Sequence, residues 1–103
     1  MPLPLDVLAF EPMASGHRSL RLTTEVSWEA FADYATAVVA VLHGTIAHRA
    51  DSPAERVWSV TVDGASFWLS FDDFGLGVSL DPCDADADAR IEGIRERLEE
   101  LAR

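Results

Sequence analysis

Residues 57–82, VWSVTVDGASFWLSFDDFGLGVSLDP, decide the fold, because they predict three consecutive antiparallel strands. Apolar and small polar side chains alternate up to Asp63-Gly64, a two-residue turn that requires positive φ at both positions. The alternation resumes with Phe67, and a second reversal follows at residues 72–75. The sequence therefore predicts a meander sheet, and this stretch carries no reaction chemistry.

Further strands and a helix are predicted before the meander. Short strands are expected at residues 5–10 and 18–24, separated by turn-forming residues. A helix should follow Ser27 as its N-cap and end at Gly44, because apolar residues recur between them at helical spacing. Residues 45–50 then form a plausible strand.

A second amphipathic helix closes the chain. We expect Asp84 or Asp86 to cap it, since carboxylates suit the positive end of a helix dipole. Its apolar stripe consists of Ile91, Ile94, Leu98 and Leu101. Two helices with one stripe each cover only one face of a sheet of roughly four to six strands. The sequence therefore predicts a single α+β domain over residues 1–103, with one antiparallel sheet, the order ββαβββα, and both helices on one face.

The opposite face of this sheet is expected to stay open. If Phe67 and Phe71 point toward the helices, the alternation places Ser66, Trp68 and Ser70 on the other side. Trp68 then stands as a large aromatic among small residues. Such a side chain can shield a weak strand from water, anchor a partner protein, or lie in a homodimer interface.

The chain is strongly acidic. It has 18 acidic and 8 basic residues, for a net charge of -10, which disfavours nucleic acid and anionic membranes and favours a basic protein partner. All the basic residues are arginine. Codon composition in a GC-rich genome and adaptation to high salt are both open as causes of this bias.

The acidic excess lies in the second half of the chain. Six aspartates there have no basic residue between them: Asp72, Asp73, Asp81, Asp84, Asp86 and Asp88. One interpretation is a solvated loop rim combined with helix capping. The other is an acidic docking patch along one end of the sheet, with Trp68 or Phe74 as its apolar anchor.

Catalysis and cofactor binding have little support. Residues 84–88 match the alternate ligands that begin a calcium loop, but Ala89 and Arg95 stand where glycine and glutamate are needed. The imidazoles are His17, His43 and His48. They would have to converge to form a zinc or acid–base site. We therefore expect no enzyme activity, no metal and no cofactor.

The chain shows no signal for a membrane or for export. No apolar run approaches the roughly 20 residues that cross a bilayer, and the first residues lack a basic leader. We expect a cytoplasmic protein.

A tryptophan strand, then FWLSFDDFG (67–75), GVSLDP (77–82) and an acidic closing helix together resemble small bacterial immunity-type proteins and related α+β domains. The resemblance covers roughly residues 20–101. It implies a compact protein that binds and blocks a cognate toxin, often a basic nuclease. Such families use different surfaces for different toxins, so it assigns no binding residue. The expected function is a non-catalytic immunity protein for a basic toxin or secreted effector, and the alternative is a secretion-chaperone-like or adaptor homodimer.

Overall fold

The computed structural model describes residues 3–72 and 77–102, and within them it contains six strands and two helices. In chain order these are β1 Ala9–Pro12, β2 Arg18–Thr23, α1 Phe31–Val41, β3 Thr45–Asp51, β4 Glu55–Val62, β5 Ala65–Asp72, β6 Gly77–Pro82 and α2 Ala85–Ala102. The strands form one antiparallel sheet in the spatial order β1-β2-β6-β5-β4-β3. The predicted α+β class is confirmed.

The predicted meander corresponds to β4, β5 and β6. Asp63 and Gly64 join β4 to β5 with φ values of 53° and 78°, the left-handed pair that a type I′ turn requires. The second reversal, between β5 and β6, lies outside the described residues. Strand β6 also pairs with β2, so the first hairpin joins the meander along that strand.

The predicted strands were wrong in two respects. The order of elements is ββαββββα, one strand more than the predicted ββαβββα, because the strand expected at residues 45–50 is present as the edge strand β3 in addition to the three strands of the meander. The first strand begins at Ala9 rather than at residue 5. Leu5 and Leu8 instead enter the core, and Val7, which lies outside the strands, donates its N–H to Leu22 O of β2. Burial of these leucines therefore outweighs strand pairing in this segment.

Helix α1 is shorter than the sequence predicts. Ser27 Oγ accepts from Ala30 N–H at 3.2 Å in a turn that precedes the helix, so Ser27 is not its N-cap. At the other end His43, with φ 56°, adopts the left-handed conformation, and Gly44 follows it. A Cβ at Gly44 would lie 2.5 Å from Thr61 O, so this glycine serves the close approach of β4.

Both helices pack on the same face of the sheet, as predicted. Helix α1 lies over β3 and β4, and α2 lies over β2, β5 and β6. The alternating residues of the meander are buried beneath them: Trp58, Val60, Val62, Phe67, Leu69, Phe71, Val78 and Leu80. Helix α2 contributes Ile91, Ile94 and Leu98. Leu101 was expected in this stripe but is 54% exposed in the last turn.

Neither helix could span a bilayer. Within the described ranges, no helix combines the length and the hydropathy that a membrane crossing requires.

Candidate protein-binding face

The side of the sheet opposite the helices, called the open face below, has no covering element in the part of the chain that the structure describes. Its two central rows run across β4, β5, β6 and β2, and consist of Ser59, Trp68, Asp81 and Ser19, and of Val57, Ser70, Ser79 and Arg21. Most of these side chains are small. Trp68 is therefore the dominant apolar feature at the centre of this face.

Trp68 differs from the two other tryptophans in its surroundings. Its side chain is 42% exposed, whereas Trp58 on the neighbouring strand is 1% exposed. The indole N–H of Trp58 donates to Asp51 Oδ1 at 2.9 Å, and that of Trp28 donates to Ser52 O at 2.8 Å. The indole N–H of Trp68 has no such acceptor among residues 3–72 and 77–102. Trp68 thus presents both an apolar ring and a hydrogen-bond donor to solvent.

Asp81 stands directly opposite Trp68 in the β5–β6 ladder. Its Oδ1 accepts from Ser19 Oγ, and its Oδ2 accepts from Ser79 Oγ at 3.4 Å. Burial of this carboxyl raises its pKa, while the two hydroxyls and the charge of Arg21 act in the opposite direction. Asp81 forms no ion pair with any described residue. It is therefore a partly desolvated carboxylate held in place by neutral donors.

The open face is acidic beyond this row. Glu11, Glu55, Asp72 and Asp81 line a shallow groove of ≈ 260 Å³ on it, together with Arg21. Arg21 Nη1 lies 2.7 Å from Glu11 Oε1, so its charge is already shared with that carboxylate. A basic surface is the electrostatic complement of this groove.

The described aspartates of the predicted patch do not all lie at one end of the sheet. Asp72 pairs with Gly77 at the first residue of β6, whereas Asp84 follows the last residue of that strand. A six-residue strand separates the two by about 17 Å. The expectation of a single acidic patch at one end is therefore wrong, because β6 runs away from the reversal. Asp73 and Phe74 lie outside the described residues.

Three of these aspartates have structural partners around α2. Asp84 Oδ1 accepts from Ala87 N–H at 2.9 Å, which confirms it as the helix cap. Asp88 Oδ1 accepts from Arg18 N–H at 2.8 Å and ties α2 to β2. Asp86 pairs with Arg90 one turn along the helix at 3.5 Å. Helix capping and helix packing therefore account for these carboxylates.

A buried arginine that was not predicted from the sequence lies on the helix side of the sheet. Arg56 Nε lies 2.8 Å from Asp51 Oδ1, and Nη2 lies 3.3 Å from Oδ2. Its guanidinium also donates to Trp28 O and lies 4.5 Å from the Trp28 ring, 5.5 Å from the Trp58 ring and 5.4 Å from the Phe31 ring. Hydrogen bonds from Arg56 and then Trp58 hold the pKa of Asp51 below its usual range. The signal in the sequence is that Arg56 occupies a core position of the β4 alternation.

The three histidines lie in separate parts of the chain. His17 precedes β2, His43 follows α1, and His48 lies on the edge strand β3. In the described part of the chain, no group of three His, Cys, Asp or Glu side chains is arranged to hold a metal ion.

Comparison with known proteins gives a family and no closer relative. No curated protein and no solved structure matches the chain. The family described as a protein of unknown function, DUF3630, matches residues 8–94, which include the whole sheet and most of α2. The chain therefore belongs to the DUF3630 family.

Proposed function

We infer that this chain is a non-catalytic protein-binding module that receives a basic protein partner on its open face. The observation that carries this proposal is Trp68, which is 42% exposed at the centre of a sheet face that no described element covers. A tryptophan that fills a pocket on a partner contributes about 2 kcal/mol or more to binding. An indole in this position is therefore a suitable anchor.

The charge of the open face supports a basic partner. Four carboxylates and one guanidinium line its groove, and the whole chain carries a net charge of -10. Such a surface accelerates encounter with a basic protein and discriminates against acidic ones. The partner class that fits best is a basic toxin or secreted effector, which the chain would block in the cytoplasm as an immunity protein.

The predicted contact residues differ in how well they suit this role. Trp68, Asp72 and Asp81 lie on the open face and are proposed contacts. Asp73 and Phe74 follow Asp72 directly and stay predicted contacts. The three aspartates of the α2 region, Asp84, Asp86 and Asp88, already serve that helix and are not needed for the interface.

A homodimer through the open face is less compatible with its charge. Two copies would bring the same carboxylates together, and like charges across an interface oppose association. We therefore expect a monomer by light scattering at micromolar concentrations. A dimer that Trp68→Ser dissociates would overturn the proposal and favour the adaptor alternative.

Affinity for a purified partner tests the proposed surface. The candidate partners are basic proteins encoded beside the gene for this chain, and calorimetry measures their binding. Trp68→Ser should weaken the complex by at least about tenfold. The matched control is Leu101→Ser, which removes an exposed apolar side chain from the last turn of α2 and should leave the affinity unchanged. Equal affinities for wild type and Trp68→Ser would refute the open face as the binding surface.

A further inference from the structure

On the helix side of the sheet, an indole and a carboxylate bind arginine side chains of the same chain. Asp51 receives two hydrogen bonds from the Arg56 guanidinium and one from the Trp58 indole. A second guanidinium, that of Arg49, lies 4.6 Å from the centre of the Trp58 ring. Tryptophan and aspartate on neighbouring strands thus bind arginine by stacking and by paired N–H donors.

The open face carries the same two side-chain types, and no arginine among the described residues forms an ion pair with its carboxylate. Trp68 and Asp81 are directly opposed in the ladder, so their Cβ atoms are about 4.5–5.5 Å apart. Each Asp81 oxygen accepts one serine hydroxyl and keeps a further lone pair. Arg21 is near enough to act on Asp81 electrostatically, but its Nη1 is paired with Glu11.

We propose that Trp68 and Asp81 form a receptor for one arginine side chain of the basic partner, with the guanidinium stacked on the indole and donating to the carboxylate. This inference rests on the proposed function, because it names what the partner presents to the open face. Arginine is preferred to lysine, since only a planar guanidinium can stack on the ring while directing two N–H groups at the carboxylate.

The chemistry of Asp81 suits an external cation. Ser19 and Ser79 orient the carboxylate but leave its charge uncompensated by an ion pair among the described residues. An arriving guanidinium therefore gains a charge-assisted bond without first displacing an internal cation. The acidic groove beside the pair raises the local concentration of cations before contact.

Nuclear magnetic resonance titration of the indole N–H signals tests the receptor. The probes are the blocked peptides acetyl-Gly-Arg-Gly-amide and acetyl-Gly-Lys-Gly-amide at equal millimolar concentrations. The Trp68 signal is assigned from its loss in Trp68→Phe. We expect the arginine peptide to shift this signal about fivefold more than the lysine peptide, while the Trp58 signal stays in place.

Two charge-matched variants identify the carboxylate. Asp81→Asn should reduce the shift caused by the arginine peptide about fivefold. Glu96→Gln removes the same charge from the exposed side of α2 and should leave that shift unchanged. Thermal unfolding of each variant verifies that it is folded, and the backbone amide spectrum verifies that the sheet is intact.

Equal responses to the two peptides, or equal responses of Asp81→Asn and Glu96→Gln, would overturn the arginine receptor. The proposed function would survive that result if Trp68→Ser still weakens the complex with the purified partner. If Trp68→Ser also leaves that complex unchanged, both proposals fail.

Discussion

The two tryptophan–aspartate pairs of this protein lie on opposite faces of one sheet and have opposite surroundings. On the helix side, the Trp58 indole donates a hydrogen bond to Asp51, and Asp51 in turn holds Arg56 in the core. Trp68 and Asp81, on the open face, have no described arginine in ion-pair contact, and the indole is exposed. The first pair therefore serves stability. The second leaves an indole and a carboxylate available to bind another molecule.

The largest expected contrast is in how much the free energy of unfolding falls when each indole is removed. Trp58→Ala should lower the free energy of unfolding by about 3–5 kcal/mol, because it leaves a cavity in the core. Trp68→Ala should cost about 1 kcal/mol or less, because its side chain is already partly hydrated. Urea unfolding followed by far-ultraviolet circular dichroism measures both. Similar losses would mean that Trp68 is a structural residue, and the comparison would fail.

A smaller contrast in the free energy of unfolding is expected for the two carboxylates. Asp51→Asn should destabilise the fold by about 2 kcal/mol, since the Arg56 charge then loses its partner. This is less than for a fully buried pair, because the Asp51 side chain is 36% exposed. Asp81→Asn should change stability by less than about 0.5 kcal/mol, or raise it slightly, because burial disfavours the ionised form. Urea midpoints at neutral pH give both values, and a clear loss for Asp81→Asn would make that residue structural.

The smallest effect is in the pH dependence of these differences. The folded-state pKa of Asp51 is lowered, so its contribution is complete above the unfolded value near 3.9 and is lost as pH falls through the folded value. The pKa of Asp81 is raised, so its ionisation opposes folding, and that penalty disappears as pH falls through the raised value toward about 3.9.

Urea midpoints of wild type and the two asparagine variants, measured from neutral to acidic pH, check these signs. The gap between wild type and Asp81→Asn should close at a higher pH than the gap between wild type and Asp51→Asn. Parallel curves for all three proteins would contradict both assignments.

Local alternation made the meander and the exposure of Trp68 predictable. A period of two fixes which face each side chain occupies once one face is assigned to the core, so Phe67 and Trp68 had to separate. The Asp63-Gly64 turn fixed the register between β4 and β5. These features depend on residues close in the chain, and for that reason a single sequence reveals them.

Pairing between distant segments could not be predicted in the same way. The Ser19 hydroxyl reaches Asp81 only because β2 pairs with β6, and nothing in either segment specifies that partner. The scattering of the aspartates likewise follows from the direction of β6. Arg56 was overlooked because an arginine at a core position contradicts its usual exposure, and only the tertiary contact with Asp51 explains it.

Fluorine resonances of the protein labelled with 5-fluorotryptophan test the central claim, that the open face is where a partner binds, most directly. Signals are assigned from Trp58→Phe and Trp68→Phe, and a purified basic partner is then added. Binding at the open face should shift the Trp68 resonance and remove its sensitivity to exchange of H₂O for D₂O, while the Trp58 resonance stays in place. A complex that forms with the Trp68 resonance unmoved and still solvent-sensitive would contradict the claim.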